Sequence, residues 1–440
     1  MTSNATLKEG YLRLSDNVKL RKEYFGGLVF HKETGTTLEV DDEAYQLLCW
    51  LKQTGWVNAN AFIHRKARAI LPMLLSAEVV EMSNETKFSH ASNVYQPIYN
   101  PDFSITQDSQ DSVLSAPETV HLAVTYRCMS DCLDCYARGF ASDRELDTDA
   151  MCGLIDDIAS QGVFQLAIGG GEPLLRPDLG DIARHAADKG LVVHITTGQY
   201  QLESHNIEIL QDVKSLHIGI RSESLIMDTE NTVAQLRELA KYASQTNTFI
   251  GANIIITRFT INHLHKLVEL LTSCGFQRLI FLRYKPIQDR TRWHNENPDK
   301  EALRRFEDDL IQIKSRYPRL AIRLDCGSAF LMKGVSRDIA IKAGIKGCVA
   351  GNGILSVSPD GSVYPCSQLV GEKYYAGNLT QNSLGIIWRK SDVLNRYRKV
   401  RQSASFISSV CGQCAFKDHC GGCRVFAEDT LGGESSCPFE

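Results

Sequence analysis

The chain has 440 residues, 43% of them hydrophobic and 23% charged, with a formal net charge of −4. That length holds two or three separately cored domains, and the near-neutral balance excludes the broad basic face of a nucleic-acid-binding domain. A run of about 18 apolar residues occurs nowhere, and no basic segment followed by an apolar run opens the chain; no membrane span and no export are expected, and the cytoplasm is the expected compartment.

In chain order, residues 18–21, 28–31 and 37–40 read as strands, with a turn at Glu33, Thr34 and Gly35. A helix opens at Asp41 or Asp42, whose side chain can cap it, and carries Ala44, Leu47, Leu48 and Leu51 at helical spacing. A second helix over 59–76 and a short strand over 78–82 complete a small winged-helix-like module, assigned to 1–85. The stretch 86–117 is rich in Ser, Asn, Asp, Gln and Pro without periodicity and reads as a linker.

Beyond it, strands expected over 121–126, 165–169, 192–197, 216–220, 249–256, 278–282 and 320–324 alternate with amphipathic helices over 181–189, 233–243, 263–273 and 300–316. Repeated strand-helix units predict parallel pairing with right-handed crossovers. The fold class is therefore α/β, six or seven units forming an open or nearly closed barrel, a partial (β/α)6 barrel over 118–326, with ligands at the C-terminal strand ends.

Fourteen cysteines in a reducing compartment argue for metal ligation over disulfides. Cys49, Cys152 and Cys274 fall in expected helices, where a buried free thiol packs as a small hydrophobe. Cys128-x3-Cys132-x2-Cys135 follows directly on the first barrel strand. Three thiolates leave one iron of a [4Fe-4S] cluster open to an exogenous ligand, whereas a structural zinc site recruits a fourth protein ligand. Within 327–440 lie Cys348, Cys366, Cys411-x2-Cys414-x5-Cys420-x2-Cys423 and Cys437. Taken alone, these Cys-x2-Cys pairs also suit zinc knuckles.

The cysteine triplet, its place after a strand and the following Tyr136 resemble the radical S-adenosylmethionine (SAM) superfamily. Gly170-Gly171-Glu172-Pro173 matches that family's segment for the methionine amino group, and glycines there let backbone approach a ligand closely. Thr197, in Thr196-Thr197-Gly198-Gln199, stands where relatives place Thr-Asn-Gly near the nucleotide; Arg221 replaces their usual Asp, and Arg221, Asn253 and Arg258 remain open as partners of carboxylate or of solvent. The resemblance implies a [4Fe-4S] cluster on Cys128, Cys132 and Cys135, an external electron donor, and cleavage of SAM to a 5'-deoxyadenosyl radical that takes a substrate hydrogen.

The last hundred residues are similar to the SPASM domain, which implies one or two auxiliary iron-sulfur clusters. By that resemblance Cys411, Cys414, Cys420 and Cys437 hold the outer one, and Cys348, Cys366 and Cys423 the inner one. Either the inner cluster keeps an open iron or Cys326 completes it. Only Gly421 and Gly422 separate the last close pair, one residue fewer than usual. The stretch from Tyr11 to Leu51 resembles the RiPP recognition element, which binds the leader of a ribosomal precursor peptide as an added strand. Glu33, Glu39, Asp41, Asp42 and Glu43 favour peptide over nucleic acid as its partner. Together the resemblances imply a peptide maturase that forms a thioether or carbon-carbon crosslink, or rearranges or excises backbone. The alternative they leave is an enzyme acting on a folded protein, as sulfatase maturases do, or on a small molecule such as a haem precursor.

Overall fold

A computed structural model describes residues 10–61, 65–84, 113–130, 132, 135–137, 139–140, 144–202, 204–246, 248–286, 290–334, 347–427, 431–434 and 437. The chain divides into two compact units between Ser115 and Ala116.

In the first unit, β1 (Tyr11–Leu14) pairs antiparallel with β5 (Val57–Asn58) and β6 (Val80–Ser83), and β3 (Gly26–His31) lies between β2 (Val18–Glu23) and β4 (Thr36–Val40). Helix α1 (Asp42–Thr54) begins as its sequence requires, with the Asp41 side chain accepting the Ala44 amide at 2.8 Å. Its Leu47, Leu48 and Leu51 join Leu12, Val29 and Val57 in one core with Leu71 and Leu74 of α2 (Arg65–Ser76). The close approach of α1 to β3 requires glycine at 27, where a Cβ would stand 2.0 Å from the Tyr45 ring. Part of the acidic cluster serves this packing: Asp41 caps α1, and Asp42 binds Lys22 and Gln46. Most of the expected linker lies outside the described residues. Its end departs from expectation, because Ser115 donates its amide to the buried Glu23 carboxylate at 2.7 Å and its hydroxyl at 3.0 Å. The expected helix over 59–76 also starts later, at Arg65, behind a 3-10 turn over Ala59–Ala61.

The second unit is built on a sheet of ten strands. Seven of them, β7 (Thr119–Thr125), β8 (Gln165–Gly170), β9 (Val192–Thr197), β10 (Ser215–Ile220), β11 (Phe249–Ile256), β12 (Arg278–Arg283) and β13 (Ala321–Leu324), pair in parallel in chain order. Helices occupy each crossover, among them α3 (Thr148–Ser160), α4 (Leu179–Asp188), α5 (Thr229–Gln245) and α6 (Lys300–Arg316), so every C-terminal strand end faces one side. On the other flank of β7 the chain adds β14 (Ile354–Val357) in parallel, then β15 (Ser362–Tyr364) and β16 (Gly377–Asn378) antiparallel. The cysteine-rich segment thus extends the barrel sheet instead of standing apart from it.

On one sheet face Leu166, Ile168, Ile195, Leu216 and Ile218 are almost completely buried. On the other, a hydrogen-bonded row crosses four strands: Gln165 Nε2 donates to Thr119 Oγ1 (3.1 Å), Gln165 Oε1 meets His194 Nε2 (3.0 Å), and His194 Nδ1 meets Ser215 Oγ (2.6 Å). Burial, with nearby Arg278 and Arg323, pushes the His194 pKa down to about 3 and that of the neighbouring His217 to about 4. Both rings are therefore neutral in the folded chain while the unfolded chain protonates near 6.5, so the unfolded state binds more protons as pH falls. We predict that stability drops as pH is lowered from about 6.5 towards 4, with a slope of up to roughly 1.4 kcal/mol per pH unit for each ring. Urea midpoints of the reduced, metal-free chain, followed by circular dichroism, check this; His194→Gln should flatten the dependence, and an unchanged slope would refute the assignment.

Candidate active site

The cysteine loop leaves β7 at an irregularity in its register with β8, between Ala123 and Thr125. Two main-chain bonds then hold the loop's first residues against the next turn: the Gly171 amide donates to Thr125 O and the Glu172 amide to Arg127 O, both at 2.8 Å. No side chain fits between these backbones. A Cβ on Gly170, whose φ is +115°, would lie 2.2 Å from Thr125 O, and one on Gly171 would lie 2.3 Å from Arg127 O. Arg176 stitches the same corner from below, donating to Val124 O, Leu146 O and the Asp178 carboxylate. Thr125 and Arg127 both bind Glu145, a contact that no local motif announces.

Glu172 is 3% exposed and spends its carboxylate within the protein. It accepts the Thr197 hydroxyl at 2.8 Å and the Gly198 amide at 2.9 Å, and it also takes the Leu174 amide as the cap of a turn that opens with buried Pro173. Burial raises its pKa and these three donors oppose the rise. Glu172 and the buried Thr197 therefore join the ends of β8 and β9, and Thr196 is the exposed member of that pair. From the end of β10, Arg221 reaches back to Ser130, inside the cysteine loop, at 3.2 Å, and its amide donates to the Tyr200 hydroxyl at 2.8 Å. Arg258 instead donates to Asn297 O, and Asn253 is half-buried on β11 opposite Gly219.

Cys128 is exposed and Cys132 and Cys135 half-buried. The Cys128 sulfur accepts the Ser130 amide at 3.4 Å. Burial pushes the Tyr136 phenol well up, and Tyr126, Cys135 and Cys366 act in the same direction, so the residue after the triplet senses a thiol of the C-terminal group.

The C-terminal cysteines fall into two neighbourhoods. Cys326, which opens a 3-10 segment just after β13, has its thiol pKa raised by burial and then by Cys348, Cys423 and Cys366. Burial lifts the Cys420 thiol to about 11, with Cys411 and Cys437 adding to the rise. Cys411 accepts an amide on sulfur from Glu434 at 3.2 Å, and Cys414 one from Phe416 at 3.4 Å. Gly421 and Gly422 are both left-handed, with φ of +64° and +71°, and this double reversal lets a two-residue spacer send Cys420 to one neighbourhood and Cys423 to the other. At Gly347, φ +66°, a Cβ would stand 1.9 Å from Cys420 O, so the backbone beside Cys348 touches that of Cys420. Buried and half-buried thiols grouped in this way, with amides aimed at the Cys411 and Cys414 sulfurs, suit iron-sulfur clusters, in which sulfide and iron stand between the ligands. Among the described residues no three His, Cys, Asp or Glu side chains converge on a site for a single ion. Cys274 is buried at the cap of its helix, whereas Cys49 and Cys152 are only half-buried, less enclosed than expected of helix-core thiols.

Two family profiles match the regions just described: the Radical SAM superfamily over residues 122–271 and the SPASM iron-sulfur cluster-binding domain over 348–415. The chain carries a radical SAM domain and an SPASM domain. It resembles the AdoMet-dependent heme synthase of Methanosarcina barkeri, 26% identical across 73% of this chain and 95% of that protein. It also resembles the PqqA peptide cyclase of Rhodopseudomonas palustris, 26% identical across 73% and 86%. The crystal structure of Streptococcus suis SuiB bound to its precursor peptide SuiA has the same fold, with a TM-score of 0.70 over 97% of this chain and 99% of that one at 17% identity.

As a radical SAM enzyme with an SPASM domain, the protein uses SAM, a [4Fe-4S] cluster and auxiliary iron-sulfur clusters. The glycine turn makes a specific demand on this site. Gly171→Ala should push the turn off the cysteine loop and weaken SAM binding by at least tenfold, as measured anaerobically by calorimetry on the reconstituted protein. Gly153→Ala, in α3 with open space at its Cβ, should bind SAM normally and stabilise the helix by about 0.5–1 kcal/mol.

Proposed function

We propose that the protein matures a ribosomally made peptide, with Cys128, Cys132 and Cys135 holding the SAM-binding cluster. When bound, cluster and SAM supply a 5'-deoxyadenosyl radical, which removes a substrate hydrogen. The backbone of Gly170, Gly171 and Pro173 would line the methionine end of the site, kept in place by Glu172 and Thr197, with Tyr136 covering the flank nearest Cys366. Arg221, already poised over Ser130, would meet the carboxylate. Cys411, Cys414, Cys420 and Cys437 would hold the outer auxiliary cluster, and Cys326 would join Cys348, Cys366 and Cys423 as the fourth ligand of the inner one.

The observation that carries the peptide reading is the small two-sheet module at the start of the chain, within a fold that over nearly its whole length resembles a peptide-bound maturase. We assign 1–85 as the leader-binding element; β2 and β4 are the edge strands of its second sheet, and an extended leader would add to one of them. We place 118–326 as the radical barrel and 327–440 as the auxiliary-cluster region. Among the described residues no helix is long and apolar enough to cross a membrane, and the thiol chemistry fits the reducing cytoplasm, where an external reductant would supply electrons. The heme synthase relative supports one other substrate, a haem precursor.

Anaerobic protein reconstituted with iron and sulfide, then given dithionite and SAM, should produce 5'-deoxyadenosine, and Cys132→Ala should abolish it. A short peptide encoded beside the gene should lose two hydrogens, or a backbone fragment, by mass spectrometry. Deoxyadenosine without any peptide change, but with consumption of a haem precursor, would replace the peptide reading; no deoxyadenosine from loaded wild type would sink both.

A further inference from the structure

The barrel and the two C-terminal thiol neighbourhoods meet at one buried ion pair. Arg283, the last residue of β12, binds Glu434, and the two side chains are 5% and 3% exposed. The guanidinium lies 3.8 Å from the centre of the Phe426 ring and 4.7 Å from that of Phe330, and it donates to Gly327 O at 3.2 Å. Gly327 follows Cys326, and Phe426 lies three residues after Cys423. Glu434 completes the junction with both its main chain and its side chain: its amide donates to the Cys411 sulfur at 3.2 Å, and its second carboxylate oxygen accepts the Cys423 amide at 3.0 Å. One residue thus touches the sulfur of a cysteine in one neighbourhood, the main chain of a cysteine in the other and, through Arg283, the mouth of the barrel. Space around it is tight, since a Cβ on Gly422 would stand 2.9 Å from both the Cys411 sulfur and the Glu434 Cβ.

We propose that Glu434 is the positioning residue shared by the two auxiliary clusters: it holds Cys411 and Cys423 in one frame and, by neutralising Arg283, sets the electrostatic balance under which both clusters change oxidation state. The proposal rests on the reading that these cysteines ligate clusters. A buried charge left without its partner is costly and exerts a strong field in a medium of low dielectric. An amide aimed at a ligand sulfur, and charge in the shell outside the ligands, both alter a cluster's potential. Removing the carboxylate charge while keeping its shape therefore takes one negative charge away from beside the clusters and favours their reduced forms.

The test uses the full-length chain with Cys128, Cys132 and Cys135 all changed to Ala, so that only auxiliary clusters contribute signals. Iron and sulfide are counted, and midpoint potentials are read by electron paramagnetic resonance during redox titration. In Glu434→Gln, whose amide oxygen can still accept the Cys423 amide, iron is expected to stay near the parent value and at least one auxiliary potential to move positive. Arg283→Met combined with Glu434→Gln should bring the potential back towards the parent, because both charges are then gone. If Glu434→Gln instead loses iron, recovery of that iron in the double variant supports the same electrostatic role. Parent-like potentials in Glu434→Gln, or a shift or iron loss that the double variant does not reverse, would overturn the proposal while leaving the cluster assignment intact. A parent chain that takes up no auxiliary iron would overturn both, and none of these results depends on a peptide being the substrate.

Discussion

Everything at the mouth of the barrel depends on a contact in which no side chain takes part. Where β7 ends, the carbonyls of Thr125 and Arg127 receive the amides of Gly171 and Glu172, and the two backbones lie too close for a Cβ between them. Each such bond contributes only about 1 kcal/mol net, but a buried amide left without a partner costs about 1–3 kcal/mol, so the two turns keep one arrangement. That arrangement carries the cysteine loop. Glu172 passes the constraint on to β9 through Thr197 and Gly198, and Arg221 returns from β10 to Ser130. Four successive strand ends are joined in this way, and the Glu172 carboxylate, in the segment that the resemblance assigns to the methionine amino group, is one of the ties.

The barrel was legible because its strands are Val- and Ile-rich runs separated by long helices of strong periodicity, and the structure places all seven within a residue or two of where pattern reading puts them. Strands β1, β5 and β14 were not legible in the same way. Strands β1 and β5 are too short to show a period, and β14 gains its identity only by pairing with β7, more than two hundred residues away in sequence. At the acidic cluster the Asp41 cap was legible, since it stands just ahead of a helical period, whereas the bond of Asp42 to Lys22 was not, because a pair between separate elements has no local pattern.

The cysteines show the same division between local and distant information. Close spacing marks Cys411, Cys414, Cys420 and Cys423 because they lie close together in the chain, although Cys423 faces the other neighbourhood. Cys326 is separate in sequence, and its neighbourhood with Cys348, Cys366 and Cys423 exists only because β13 ends beside the C-terminal segment. Gly421 and Gly422 looked like a deletion within the motif, yet two left-handed residues in succession turn the chain between the neighbourhoods without a third.

The charged residues around the thiols were invisible to pattern reading, since a lone Arg or Glu has no period. The structure groups them in pairs. Arg283 meets Glu434, and Lys285 meets Asp325, all four side chains being largely buried. Burial opposes the Lys285 charge, but Asp325, Cys423 and Cys326 hold its pKa above the ordinary lysine range. Buried ion pairs add little stability compared with apolar residues of the same volume, so packing alone does not account for two of them at the ends of β12 and β13. What a pair provides, and a hydrophobic residue cannot, is a fixed dipole. Its net charge is zero, but a thiol near one end experiences that end more strongly than the other. Cations standing at and just after the end of β12, with carboxylates supplied from just after β13 and from the C-terminal segment, make the field at each thiol a matter of geometry, and the barrel is the rigid body that holds this geometry constant.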